Sequence, residues 1–361
     1  MMIHEYKRTM QLNKLDFLST VGWKKAVGNG PQIRRTGLDL LGYKDSEAFL
    51  DANRSRIGFV ALLAGASSRW VKSIQAQHNI GQSLDIDIDK PRCLANVPDV
   101  LHEGETIPIG AYTVRALQGL GKMFIVWGTY PISIENMVKG CGVDDATYVQ
   151  QKIYPGQIKP LGHGDALIQT WDHFSCGIEY LVTCFGGDAQ NRETILTSLI
   201  VFMALQKLDE NRRPHALIPS TYMHMDEPKY PILLNESGFP SSFVQPKLQG
   251  INLPAGHYLT NVGVRMYRTA DIAGLIEKYR STYIEGTGYN IPENAKGDIH
   301  ECALDNFDGA LTPSEGEKLA GGGRIRTLAI SYNGEISSSV KDHSGINGFL
   351  DVQREFLRRK Q

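Results

Sequence analysis

FVALLAGASSRW, residues 59–70, runs an apolar stretch into a glycine, two serines and an arginine. A continuous apolar run of this length reads as a strand buried on both faces. Its ending in Ala64-Gly65-Ala66-Ser67-Ser68 lets backbone approach a ligand closely, and the N–H groups of such a turn face phosphate oxygens where a helix begins. Arg69 adds a fixed cationic fork beside them. Taken alone, a strand-to-helix turn of small residues packs as readily as it binds, so the reading depends on what surrounds it.

The surroundings supply a rhythm. From Ile57 onward, apolar strand candidates (IGFVALLAG, KMFIVWGTY at 122–130, EYLVTCFGGD at 179–188, HALIPSTY at 215–222) alternate with amphipathic segments such as YTVRALQGL and ETILTSLIVFMALQKL. Alternation of this kind predicts an α/β fold, a mostly parallel mixed sheet with flanking helices. Ligands of such sheets collect at the carboxyl ends of the strands, which is where the opening stretch terminates. Residues 1–55 show helical spacing and polar breaks without a strand-like run, and are expected to form an N-terminal helical extension to a catalytic domain at 56–361.

Composition narrows the function classes. Of 361 residues, 42% are hydrophobic and 21% charged, as in an ordinary globular chain. Lys plus Arg (38) nearly cancels Asp plus Glu (39), so no global basic field attracts nucleic acid or a membrane surface; an anionic ligand must be held locally. Cys93, Cys141, Cys176, Cys184 and Cys302 are widely separated, odd in number and lack a C-x-x-C pair, which argues against a disulfide framework or zinc knuckle. No apolar run approaches the ~20 residues of a membrane span, and MMIHEYKRTMQLNKLDF is too polar for a signal peptide. The expectation is a cytoplasmic protein with reduced thiols.

The ordered motifs carry a resemblance. LLAGASSRW resembles the signature of the nucleoside-triphosphate transferase family, the sugar-phosphate nucleotidyltransferases with a nucleotide-diphospho-sugar transferase-like fold. KPRCLANVPD (90–99) is similar to that family's P-K-x-L-x-P-V element, PLGHGDAL (160–167) to its glycine-bearing base-recognition loop in the G-H-G-D form of uridylyltransferases, and CFGGDAQ (184–190) to the strand ending in its metal-binding aspartate. YPILLNESGFPSSFVQPK (230–247) resembles the family's Glu-Lys-Pro hairpin and LTNVGVRMYR (259–268) its N-x-G strand. Three departures stand out: the position of the family lysine holds Arg92, with Lys90 just before Pro91, Ser67 stands where many relatives have Gly, and Gln245-Pro246-Lys247 replaces Glu-Lys-Pro.

The resemblance implies an enzyme that transfers a nucleoside monophosphate, UMP by the G-H-G-D form, from a triphosphate to a sugar 1-phosphate and releases pyrophosphate. Charge then accumulates on non-bridging phosphate oxygens, which calls for cations and N–H donors rather than a covalent nucleophile. Leu63, Ala64, Gly65, Ser67 and Ser68 would hold the triphosphate, with Arg69 and either Lys90 or Arg92 as the catalytic cations. Gly162, His163, Gly164 and Asp165 would read the base. Gly187, Lys247, Asn261 and Gly263 would bind the acceptor, whose part of the chain lies around 225–310. Asp188 and Asp342 would hold Mg²⁺, a hard cation suited to one or two carboxylates plus phosphates and water; Asp298 and Glu301 are rivals for the second position.

Two other outcomes stay open at this level. One is a cytidylyltransferase or a glycosyltransferase-like enzyme with another acceptor; the other is a catalytically inactive regulatory module of the same fold. The remaining motifs point elsewhere. The GGG at 321–323 lacks a preceding strand and reads as a turn, LDIDIDK at 84–90 lacks the glycine and terminal glutamate of a calcium loop, and the spacing of His224, His300 and His343 predicts no metal cluster.

Overall fold

The computed structural model describes residues 30–64, 90–153, 162–174, 177–187, 190–210, 213–226, 228, 231–234, 240–243, 250–283, 325–329 and 354. These fall into two compact units. The first takes its residues from Met1–Ser55, Arg192–Ile272 and Asp305–Ile336, the second from Arg56–Asn191, Ala273–Leu304 and Ser337–Gln361.

In chain order the first unit begins with helices α1 (Gly30–Leu41) and α2 (Ser46–Asn53). Asp45 starts α2 by accepting a 2.9 Å hydrogen bond from the N–H of Ala48, and Glu47 in the first turn suits the positive end of the helix. The second unit then opens with β1 (Ile57–Leu62), every residue of which is buried. A short antiparallel pair, β2 (Asn96–Pro98) and β3 (Thr106–Pro108), leads into α3 (Ile109–Leu117). β4 (Lys122–Trp127), α4 (Pro131–Gly140), β5 (Thr147–Gln150), α5 (Gly162–Phe174) and β6 (Tyr180–Phe185) complete it.

Apart from the antiparallel β2–β3 pair, the strands of the second unit run in the order β5-β4-β1-β6, and each of these pairings is parallel. Gly58 lies opposite Lys122 and Leu62 opposite both Val126 and Phe185. The chain runs outward from β1 to β4 and β5, then returns to place β6 on the other side of β1. The connections therefore diverge at the carboxyl ends of β1 and β6, the geometry that opens a crevice in a doubly wound sheet. Gly58 lets neighbouring layers close in, since a Cβ there would stand 3.0 Å from Ile178 and 3.2 Å from the Phe124 ring. The uninterrupted apolar sequence of β1 is explained by neighbours on both edges and by α3 and α5 packed against it.

The first unit resumes with α6 (Arg192–Leu205), β7 (Ala216–Met225), β8 (Pro231–Leu234), β9 (Pro240–Phe243), β10 (Gly256–Asn261), β11 (Val264–Arg268) and β12 (Ile325–Ala329). A further helix, α7 (Thr269–Tyr283), follows β11, its residues from Ala273 onward belonging to the second unit. β7 pairs antiparallel with β10 and β11 and parallel with β12, while β8 joins β10 to β9. From Thr194 to Leu205 α6 is buried on all sides, against α1 and β7 among others, as a helix apolar around its whole circumference must be. Gly37 of α1 meets Ile200 of α6 so closely that a Cβ would need the isoleucine to shift, and Arg34 of α1 is ion-paired with Glu193 of α6.

The expected α/β class is thus present, parallel in the second unit and mixed in the first. The stretch 259–268, expected as one strand, is two. β10 ends at Asn261 and β11 begins at Val264, because Gly263 adopts a φ of +76°, a conformation that interrupts a strand. The GGG cluster precedes β12 and lies outside the described residues, as does nearly all of LDIDIDK.

Candidate active site

The segment that follows Lys90 packs on the carboxyl ends of β1 and β6. Pro91, in extended conformation, starts a single 3₁₀ turn at Arg92–Leu94, closed by a 2.8 Å hydrogen bond from the N–H of Leu94 to the carbonyl of Pro91. The turn is pinned from beneath. The thiol of Cys93 donates to the carbonyl of Leu63, just past β1, at 3.3 Å, and Ile109 N–H donates to the carbonyl of Ala95 at 2.9 Å. Burial raises the Cys93 thiol to about 12, against a smaller opposing pull from the Arg92 charge, so it remains a neutral donor.

This anchoring lays Arg92 across the end of the neighbouring strand. A Cβ on Gly187 would collide with the Arg92 guanidinium, and one on Gly186 would collide with Leu63. A side chain at Gly186 would press on the backbone of Leu62 as well as on Leu63, while one at Gly187 would displace the Arg92 guanidinium. The strand end is fixed further by Gly186 N–H donating to the carbonyl of Leu62 at 3.1 Å and Thr113 Oγ1 of α3 donating to the carbonyl of Phe185 at 3.3 Å. Leu63 and Ala64 are buried, Arg92 is half-buried and Lys90 is exposed. Between the two candidate cations, the geometry brings Arg92 to the strand ends.

The expected base-recognition loop takes a different form. Gly162, His163, Gly164 and Asp165 are the first turn of α5, not a loop. Asp165 is fully buried, and its Oδ2 accepts hydrogen bonds from Gln151 Nε2 at 2.6 Å and Gln169 Nε2 at 2.8 Å. Gln169 also reaches the backbone of Lys152, accepting from its N–H at 2.8 Å. Asp165 thus ties the first turn of α5 to the end of β5, and a carboxylate in the first turn complements the helix dipole. A ligand at this turn would meet the freed N–H groups of α5, with Asp165 beneath as a support.

Gly65, Ser67, Ser68, Arg69, Asp188, Asp342 and Lys247 lie outside the described residues, as do Asp298 and Glu301. Asn261 and Gly263 belong to the first unit, at the end of β10 and in the break before β11.

Sequence reasoning missed several residues here. Tyr130, just beyond β4, has a φ of +60° and is exposed. A bulky side chain in this conformation costs roughly 1–2 kcal/mol, and it stands on the carboxyl side of the sheet, where strained residues gather at functional sites. The only signal was its place before Pro131, a position that disfavours the right-handed helical region. Asp99, buried, receives both terminal nitrogens of Arg115 at 2.9 and 3.0 Å, His102 at 2.9 Å and the N–H of Leu101 at 3.0 Å. Burial alone would raise its pKa, yet these donors together hold it down at about 2, and Asp99 in return raises that of Arg115. The pair fastens the β2–β3 turn to α3, the helix that also holds the end of β6. Glu105 completes a three-group cluster with Asp99 and His102.

No family model matches the chain, and no curated protein sequence matches it. Among solved structures, it is similar to the protein assigned as UDP-N-acetylglucosamine pyrophosphorylase in Entamoeba histolytica, with 14% identity and a TM-score of 0.52 over 93% of this chain and 85% of that one. The chain has a nucleotidyltransferase-like fold. HddC from Yersinia pseudotuberculosis aligns at 13% identity and a TM-score of 0.47, over 84% of this chain and 99% of that one. The 4-diphosphocytidyl-2C-methyl-D-erythritol synthase of Anaerococcus prevotii aligns at 12% identity and 0.41, over 86% and 99%. In open α/β sheets ligands gather outside the carboxyl ends of the strands, where Leu63, Arg92 and Gly187 stand. Among the described residues, no helix is long and apolar enough to cross a membrane.

Proposed function

We propose that the protein is a nucleotidyltransferase that moves a nucleoside monophosphate from a nucleoside triphosphate to a sugar 1-phosphate, with UTP as donor. The observation that carries this reading is the seating of Arg92 on Gly187, which presents a planar cation at the carboxyl ends of β1 and β6.

In the proposed reaction a phosphate oxygen of the acceptor attacks the α-phosphorus. A new P–O bond forms as the bond to the α–β bridging oxygen breaks, and pyrophosphate leaves with that electron pair. Arg92 would meet the oxygens on which charge accumulates with a fork that engages two of them at once. A donor held in place there would cost no reorganisation at the moment of reaction. Arg69, in the segment that follows β1, would supply a second cation, and the N–H groups of 65–68 would cradle the triphosphate. The first turn of α5 would hold the base, its position set by Asp165 on Gln151. Gly187, Lys247, Asn261 and Gly263 would receive the acceptor.

Mg²⁺, if bound, would neutralise phosphate charge; its proposed ligands Asp188 and Asp342 have the oxygen-donor chemistry this hard cation prefers. The thiols of Cys93, Cys141 and Cys184, none of them in a disulfide, support placement in the cytoplasm.

The test is pyrophosphate release from a panel of triphosphates and sugar 1-phosphates, with and without Mg²⁺. UTP with at least one sugar 1-phosphate is expected to give stoichiometric pyrophosphate and a nucleotide sugar. Release with CTP alone would overturn the uridylyl assignment, and absence of release with every pair would overturn the catalytic one.

A further inference from the structure

The pairing of β7 with β10 brings together two histidines far apart in the chain. His224 and His257 stand directly opposite each other in the antiparallel register, so their side chains leave the same face of the sheet. Both are exposed. Their ring centroids are 5.1 Å apart at an interplanar angle of 74°. Asp226, two residues beyond His224 on the same strand path, places Oδ1 3.6 Å from His224 Nδ1.

The spacing has a chemical reading. Zinc–imidazole bonds are about 2.0–2.1 Å and tetrahedral, and a ring centre lies roughly 1.1 Å beyond its nitrogen, so two imidazoles on one ion have centroids roughly 5 Å apart. The observed separation of 5.1 Å matches, and an ion between the rings would require the imidazoles and the Asp226 carboxylate, whose donor atoms do not converge as they stand, to turn toward it. Two imidazoles with one carboxylate are a donor set for borderline divalent ions rather than for Mg²⁺ or Ca²⁺.

We infer that His224, His257 and Asp226 form a binding site for a divalent transition-metal ion, Zn²⁺ or Ni²⁺. Three protein ligands leave a fourth position to water or a small ligand. The ion links β7 to β10 through side chains, in addition to their backbone ladder.

Calorimetric titration of Zn²⁺ into the full-length, EDTA-treated protein tests this. One equivalent is expected to bind, with affinity lowered at least tenfold in His224→Ala and in His257→Ala. His102→Ala, in the other His-carboxylate cluster, is expected to leave that affinity unchanged. Both sheet histidines are exposed, and circular dichroism confirms folding of each variant. Cu²⁺ loaded at one equivalent is expected to show two nitrogen couplings by electron paramagnetic resonance, falling to one in either single variant. Undiminished Zn²⁺ affinity in the double variant, no Zn²⁺ binding by the parent up to millimolar metal, or a single nitrogen coupling in the parent would each overturn the site.

Discussion

The guanidinium of Arg92 lies against the backbone of Gly187 and leaves no room there for a Cβ. Two segments far apart in the chain, the turn after Pro91 and the end of β6, therefore depend on each other. Gly187→Ala is expected to push Arg92 out of place and to lower pyrophosphate release nearly as much as Arg92→Ala, roughly 10²-fold, the scale for loss of one preorganised donor. Lys90→Ala, at an exposed position, is expected to change turnover by less than threefold. Steady-state rates of the three variants decide this; an inactive Lys90→Ala beside an active Arg92→Ala would reverse the assignment.

Asp188→Asn separates a metal ligand from a turn residue. Asparagine keeps the size and much of the capping ability of aspartate but not its charge. The expected outcome is near-normal thermal stability without ligand together with loss of Mg²⁺-dependent activity. A clear fall in melting temperature with metal-dependent activity retained would make Asp188 a structural turn.

The Asp99–Arg115 pair gives the protein an acid-sensitive fastening. With a folded pKa of about 2 against an ordinary 3.8, its stabilisation is fully present above pH 4 and is lost as pH falls from about 4 to 2. Asp99→Asn is expected to cost roughly 2–3 kcal/mol at pH 7, since it leaves Arg115 half-buried without its charge partner. The gap in melting temperature between parent and variant is expected to hold from pH 7 to 4 and to shrink below that. A gap that stays constant down to pH 2 would show that the pair is not linked to the titration.

Gln151→Ala removes a donor from buried Asp165 and loosens the first turn of α5 from β5. If that turn holds the base, KM for the triphosphate is expected to rise about tenfold, with a smaller change in kcat, because one hydrogen bond to a buried charge is worth about 1.5 kcal/mol. An unchanged KM would remove the turn from nucleotide binding.

The strands β1, β4, β6 and β7 were legible because each is an apolar run bounded by polar or small residues; α6 was legible as a segment between strands, but its expected amphipathic character is not there, since Thr194 to Leu205 are buried on all sides. Local pattern failed where backbone conformation or distant pairing decides. Gly162 and Gly164 are poor helix formers, yet α5 begins there because Asp165 is anchored to Gln151. The break at Gly263 hides inside an apolar alternation. Lys90 and Arg92 flank the same proline, and only the 3₁₀ turn pinned by Cys93 distinguishes them. His224 meets His257 through strand register, which no spacing within either segment encodes.

The packing of α1 on α6 has a consequence for synthesis. Ile33, Leu38 and Leu40 are buried in the finished protein, but α6 is made only after the whole of Arg56–Asn191. At ordinary elongation rates that interval is on the order of ten to thirty seconds. Through it the nascent chain carries an apolar helical stripe whose partner has not left the ribosome, a surface that chaperones bind and that slows completion of the first unit until the long loop can close.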